Sequence, residues 1–161
     1  ETDYNIEEWR KYFDNQVSIS DLTYLVYSSS SSDLQKIITA KSLKGINDTL
    51  KQKIYLTDKG IEAINYLLFA KKCEQFAVFA EDEEGAAWSY MGVRRKMTKP
   101  EFMSTAKDGN ILYTATKNTD IKLRIAYQLV RLSHYGGFND DAIRYFNTYV
   151  EPLKQKTLLY Y

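Results

Sequence analysis

The chain has 161 residues, of which 44% are hydrophobic, and this size and composition predict one domain over residues 1–161 with a buried core. The 22 basic and 21 acidic side chains leave a net charge near +1, which excludes any general attraction to nucleic acid or anionic lipid. No apolar run approaches the roughly 20 residues of a membrane span, so we expect a soluble protein whose compartment the sequence leaves open.

The first third of the chain predicts three short helices. The first helix is expected to end near Asn15. It is defined by apolar residues at helical spacing, namely Ile6, Trp9, Tyr12 and Phe13. Ser20 or Asp21 is expected to cap the second helix. The serine run 28–32 is either a linker or a turn between helices, and we favour a turn after which Ser32-Asp33 begins the third helix. The basic stretch 41–55 lacks apolar periodicity and predicts the longest loop.

The middle of the chain predicts the longest helix, beginning at Thr57-Asp58 and apolar on more than one side as far as Phe79. The acidic residues 81–84 are expected to end it, and 86–97 to resume as a helix. Thr98, followed by Pro100 and Glu101, predicts the start of a further helix that Asp108-Gly109-Asn110 terminates. Residues 111–116 are then expected to be an irregular or helical connection.

The clearest pattern is a helical hairpin. Gly136-Gly137 can end its first helix in the left-handed conformation, and Asn139 or Asp140 is expected to cap its second helix. The residues expected to face inward on the first helix are Leu123, Tyr127, Val130 and His134, with Ala126, Leu129 and Leu132 beside them. Those expected to face inward on the second are Ala142, Ile143, Phe146, Tyr149 and Val150. Pro152 suits the first turn of a third helix.

This hairpin resembles the tetratricopeptide repeat over residues 119–152. Ala142 follows Gly137 by five residues, Phe146 follows by four more, and Leu129 precedes the glycine by eight, as that repeat favours. The chain departs from the repeat pattern at Val130, Ser133 and Tyr149. The resemblance implies an all-α fold of antiparallel helical hairpins, stacked as a short, irregular, degenerate solenoid or closed as a bundle.

The start and end of the chain suggest a piece of a longer helical-repeat protein. Glu1 is not an initiator methionine, and Tyr160-Tyr161 closes an apolar C-terminal helix that a further repeat would cover. The same helix is a candidate for self-association.

No catalytic or metal-binding constellation is evident in the sequence. His134 is the single histidine and Cys73 the single cysteine, so a metal site or a Cys–His nucleophile is not expected, and no cofactor motif occurs. The acidic residues 81–84 lack the alternating spacing of a calcium loop. The sequence therefore favours a non-catalytic role, with no cofactor and no metal.

We interpret the chain as a helical-repeat scaffold that binds a protein or peptide partner. Aromatic side chains would supply contact area and arginines would set orientation; the candidate binding residues are Tyr145, Tyr149, Arg124, Arg131 and Arg144. Two alternatives stay open: an enzyme or accessory domain in which Glu and Tyr side chains in an inter-helix cleft act on a small molecule or glycan, and a purely structural spacer.

Overall fold

The computed structural model describes residues 3–47, 50–76 and 97–153, and the regular elements within them are all helical. The α-helices are α1 (Tyr4–Tyr12), α2 (Ile19–Thr23), α3 (Ser31–Ala40), α4 (Asp58–Glu74), α5 (Lys99–Ala115), α6 (Thr119–Tyr135) and α7 (Asn139–Tyr145). Two π-helical turns extend α2 over Tyr24–Ser28 and α7 over Phe146–Val150, and 3-10 turns span Lys53–Leu56 and Glu151–Leu153. The predicted all-α fold is confirmed.

The chain divides into two compact units, Glu1–Leu68 and Phe69–Tyr161. The single-domain organisation stays a prediction. Residues 86–96 of the helix predicted over 86–97, the acidic residues 81–84 and the C-terminal tyrosines lie outside the described residues, and Met97 is not helical. Within the described ranges, none of the helices combines the length and apolar character that crossing a membrane requires.

Local capping chemistry explains where the helices of the first unit begin. Asp3 accepts hydrogen bonds from the backbone amides of Asn5 and Ile6 and so starts α1. Ser18 caps α2, and Ser30 caps α3, each through its side-chain oxygen. The caps predicted at residues 20–21 and 32–33 were therefore wrong by two or three residues, because the serine-rich sequence offers several hydroxyls in succession.

The core of the first unit is aromatic. The predicted inward residues of α1 are all buried, and Trp9 lies 5.8 Å from Tyr66 between ring centroids. Phe13 meets Tyr55 edge to face at 5.6 Å. The loop expected over 41–55 is confirmed in its described part, apart from the 3-10 turn that carries Tyr55 into this core.

A buried polar contact ties this turn to α2. The Tyr55 hydroxyl donates a hydrogen bond to Oδ2 of Asp21 at 3.1 Å, and both side chains are buried. Burial, followed by the neighbouring carboxylate, raises the pKa of Tyr55 above its ordinary value. Asp21 is thus a buried hydrogen-bond acceptor, whereas the sequence suggested a helix cap.

In the second unit, the start of α5 was predicted correctly and its end was not. Thr98 and Glu101 form the reciprocal hydrogen bonds of a capping box at the start of α5. The helix then continues through Gly109 to Ala115, whereas the sequence predicted that it would end at 108–110. Close packing explains why position 109 is a glycine, because a Cβ built there would lie 2.5 Å from Cζ of Phe69 and 2.7 Å from a methyl of Leu129.

Helix α6 is the centre of the second unit and packs against both α5 and α7. It begins at the Asn118 cap and ends at Gly136, after which Gly137 has a positive φ of 78°. The predicted positions Leu123, Ala126, Leu129 and Leu132 are buried. Tyr127 and His134 are exposed, contrary to prediction, because α6 turns Ile121 and Ile125 into the core instead.

Helix α7 buries a different set of residues from the one expected. Ala142 and Val150 are buried as predicted, but Ile143 and Phe146 are exposed and Tyr145 takes the inward position. The predicted caps at 139–140 are also wrong, since α7 begins directly after Phe138 without a side-chain cap. Pro152 lies in a 3-10 turn. The exposed Ile143 shows that an apolar residue type alone does not identify the buried face of α7.

Replacing Gly109 by Ala tests the close approach of α5 to its neighbours. In an exposed helix interior this change would add about 1 kcal/mol of stability, but here the new methyl group must displace Phe69 and Leu129. We expect a loss of about 1–3 kcal/mol in the free energy of unfolding, measured by urea denaturation. A stabilised variant would contradict the packing described here.

Replacing Tyr55 by Phe tests the buried contact with Asp21. Since the folded-state pKa of Tyr55 is raised, its contribution to stability is complete below about pH 10, where the unfolded chain also keeps the proton, and is lost as the pH rises beyond that. We therefore expect the free energy of unfolding of Tyr55→Phe to fall less steeply above about pH 10 than that of the parent. A Tyr4→Phe control, at an exposed position, is expected to keep the parent slope. If the free energy of unfolding falls with pH equally steeply in the parent and in Tyr55→Phe, the raised pKa of Tyr55 would be contradicted.

Candidate functional site: a groove between α5 and α7

An open groove of about 450 Å³ lies between α5 and α7. Its volume falls in the range of sites that bind small ligands or the side chains of a partner. The residues that line it are Lys99, Phe102, Met103, Ala106, Lys107, Asn110 and Ile111 from α5, Phe138 just before α7, and Asp141, Arg144 and Tyr145 from α7. The groove is thus built on two helices that both pack against α6.

The floor of one end of the groove is a stacked aromatic pair. Phe102 and Phe138 lie 4.2 Å apart between ring centroids at an interplanar angle of 20°. Gly136 allows the approach of Phe138, because a Cβ there would lie 2.7 Å from the Phe138 ring. This end of the groove is therefore apolar and closely packed.

The other end is fixed by the side chain of Asn110. Its amide nitrogen donates to the carbonyl of Ala106 at 2.8 Å and to the hydroxyl of Tyr145 at 3.0 Å. Its amide oxygen accepts a hydrogen bond of 2.6 Å from the Tyr149 hydroxyl. A single side chain of α5 thereby bonds both the end of α7 and the π-helical turn that follows it.

Aromatic stacking extends this polar link. Tyr149 stacks on Tyr113 of α5 with ring centroids 4.0 Å apart, and Tyr145 lies 5.8 Å from Tyr149. The ammonium group of Lys122 lies 4.8 Å from the centre of the Tyr113 ring. Burial, followed by the neighbouring Tyr149, raises the pKa of Tyr113 above its ordinary value. The tyrosines hold α5 and α7 together and leave the groove open beside them.

The outer lip of the groove is exposed and consists of four residues of α5, namely Lys99, Met103, Lys107 and Ile111. Met103 and Ile111 are 60% and 59% exposed, although both are large hydrophobic residues on a helix. They share their side of α5 with Lys99 and Lys107, which are exposed and have no ion-pair partner among the described residues. The lip therefore presents apolar area together with positive charge that no described carboxylate pairs with.

Charge on the opposite wall is already paired. Nη2 of Arg144 donates a hydrogen bond to Oδ1 of Asp141, and the guanidinium lies 4.5 Å from the Tyr145 ring centre. These interactions, led by the bond to Asp141, raise the pKa of Arg144 and keep it charged. Among the described lining residues, the positive charge without an ion-pair partner consequently lies on the α5 side.

The structure brings some of the predicted site residues together and separates others. Tyr145 and Arg144 line the groove, and Tyr149 supports it from behind. Arg124 was expected on a polar face of the hairpin, but it is only 6% exposed, because the face of α6 that carries it is covered. Arg131 is half-buried and lies over the Tyr135 ring, away from the groove.

Sequence reasoning missed the four residues of the lip. The signal was present, since Lys99, Met103, Lys107 and Ile111 recur every four residues and so share one side of a helix. It was overlooked because the helix was expected to end at Gly109, before the last of them.

The remaining candidates for chemistry do not join this groove. Cys73 is buried, and burial raises the pKa of its thiol to about 12, which suits an inert side chain. His134 is exposed near the end of α6. The described ranges contain no cluster of three or more histidine, cysteine or acidic side chains arranged to hold a metal ion.

Replacing Tyr149 by Phe tests whether Asn110 joins the two walls. The change keeps the stacked ring but leaves the Asn110 oxygen without its 2.6 Å donor, so we expect a loss of about 1 kcal/mol in the free energy of unfolding. Tyr127→Phe, at an exposed position on α6, is the matched control and is expected to change stability by less than about 0.5 kcal/mol. Equal effects of the two changes would mean that the hydrogen bond contributes nothing specific.

No protein-family model, curated protein or solved structure gives a significant match to this chain, so the groove is interpreted from its own residues.

Proposed function

We propose that this chain is a non-catalytic helical scaffold that binds a segment of another protein in the groove between α5 and α7. The observation that carries the proposal is the open, 450 Å³ groove with an aromatic floor and the exposed Met103 and Ile111 on its lip. Large apolar side chains exposed beside a concave surface are typical of interaction sites.

The rigidity of the walls supports binding. The groove is framed by contacts on both sides, namely the Phe102–Phe138 stack and the hydrogen bonds of Asn110. A site whose side chains are already fixed loses little conformational entropy when a partner binds, and more of the contact energy then appears as affinity.

The order of helices agrees with the proposed tetratricopeptide-like organisation. A short turn at Gly137 joins α6 to α7, and the small Ala142 is buried where the two helices approach. The repeat pattern would place Phe146 in the interface between the two hairpin helices, beside Ala142, but Phe146 is 37% exposed. We propose a degenerate hairpin of this kind, in which Tyr145 takes the buried aromatic position.

The composition of the groove favours binding over catalysis. Among its described lining residues Asp141 is the one carboxylate, and it is paired with Arg144. Hydrolysis of a glycan would normally use two carboxylates of different pKa facing the substrate. The enzyme alternative thus has less support from this site than the scaffold does.

Selection of peptides from a random display library tests the proposal. We expect peptides that bind the parent chain to lose at least about tenfold in affinity for Met103→Gln and Ile111→Gln, because the lip loses apolar contact area. Ile143→Gln is the matched control, since Ile143 is 61% exposed and lies outside the groove. Titration calorimetry of the three variants provides the measurement. Affinities that fall equally in all three, or in none, would contradict the groove as the binding site.

A further inference from the structure

We infer that the segment bound in this groove is an acidic, amphipathic α-helix. The inference rests on the proposed function and adds the chemical class of the partner. It is drawn from three features of the groove: the nature of its walls, its unpaired charge and the spacing of residues along its lip.

The walls exclude recognition by strand addition. An extended peptide that binds by strand addition needs the open edge of a β-sheet. The groove is flanked by α5 and α7, in which backbone donors and acceptors already bond within each helix. A partner therefore binds through its side chains, and a helix suits this mode because its own backbone groups are already hydrogen-bonded.

The charge of the groove selects an acidic partner. Lys99 and Lys107 are exposed and have no ion-pair partner among the described residues, whereas Arg144 and Asp141 neutralise each other. Among the described residues, two positive charges on α5 are therefore available to carboxylates of the partner. Because the net charge of the chain is only about +1, this attraction is local to the groove.

The spacing along α5 sets the pattern that the partner needs. Lys99 and Lys107 are eight residues apart in one helix, which is about 12 Å along its axis. Met103 lies between them and Ile111 follows one turn later. A partner helix with carboxylates seven or eight residues apart, beside an apolar stripe, matches this alternation of charge and apolar surface.

Synthetic peptides of about 18 residues, long enough to form isolated helices, test the inference. The probe has leucines on one face and glutamates seven or eight residues apart beside them. Comparison peptides replace the glutamates by glutamine or by lysine, or carry two central prolines that prevent a helix. Binding is measured by fluorescence anisotropy at low and at high salt.

We expect the acidic helix to bind at least about tenfold more tightly than the glutamine version, and to weaken as salt increases. The double variant Lys99→Glu and Lys107→Glu is expected to lose at least about tenfold in affinity for it. Both positions are exposed, and glutamate is a good helix former, so the fold is expected to persist, which circular dichroism checks. The double variant Lys51→Glu and Lys53→Glu carries the same change in net charge at exposed positions outside the groove and is expected to bind as the parent does.

The outcomes separate this inference from the proposed function. If the glutamine peptide binds as tightly as the acidic peptide, or the proline peptide binds more tightly, the inference of an acidic helix is overturned. Weaker peptide binding by Ile111→Gln would in that case still support the groove as a binding site. Failure of every synthetic peptide would also overturn the inference, and the library peptides would then decide the function alone. If neither Ile111→Gln nor the double variant Lys99→Glu and Lys107→Glu weakens peptide binding, both the acidic-helix inference and the proposed function are overturned.

Discussion

The second compact unit depends on the burial of α6 between two neighbours. Helix α6 packs against both α5 and α7, and its leucine and isoleucine side chains supply most of the core between them. This arrangement requires α5 to approach closely, which it does where Gly109 leaves room for the Phe69 ring and Leu129. A larger residue at that point would push α5 outward and change the width of the groove.

Polar contacts then fix the position of α5 relative to α7. Hydrophobic packing alone tolerates small shifts between helices, whereas Asn110 must align both its nitrogen and its oxygen with tyrosine hydroxyls. Stacking of Tyr113 on Tyr149 reinforces the same alignment. In this unit the tyrosines join helices. The binding surface that we propose consists of Met103, Ile111 and the lysines beside them.

The sequence predicted the helical class and several boundaries because those depend on local chemistry. Thr98 and Glu101 satisfy backbone groups within a few residues of each other, so their pattern can be recognised without knowledge of the fold. Gly109 was misjudged because its reason is a distant contact with Phe69. The burial of Tyr145 in place of Ile143 has a similar cause, since the partner of its hydroxyl lies on another helix. The four-residue spacing of the lip was overlooked for the same reason, because those residues share one helix only if α5 continues through Gly109 to Ala115.

Helices α5 and α7 both pack on α6 and are joined to each other through Asn110, so we expect the three helices to open as one cooperative unit that keeps the groove walls fixed. Native-state hydrogen exchange of the backbone amides measures the opening free energy of each helix. An isolated helix of seven residues such as α7 would be marginal in water, so shared protection must come from its packing. We expect similar opening free energies for the three helices. Exchange of α7 at nearly the rate of an unfolded peptide, with α5 and α6 still protected, would contradict cooperative opening.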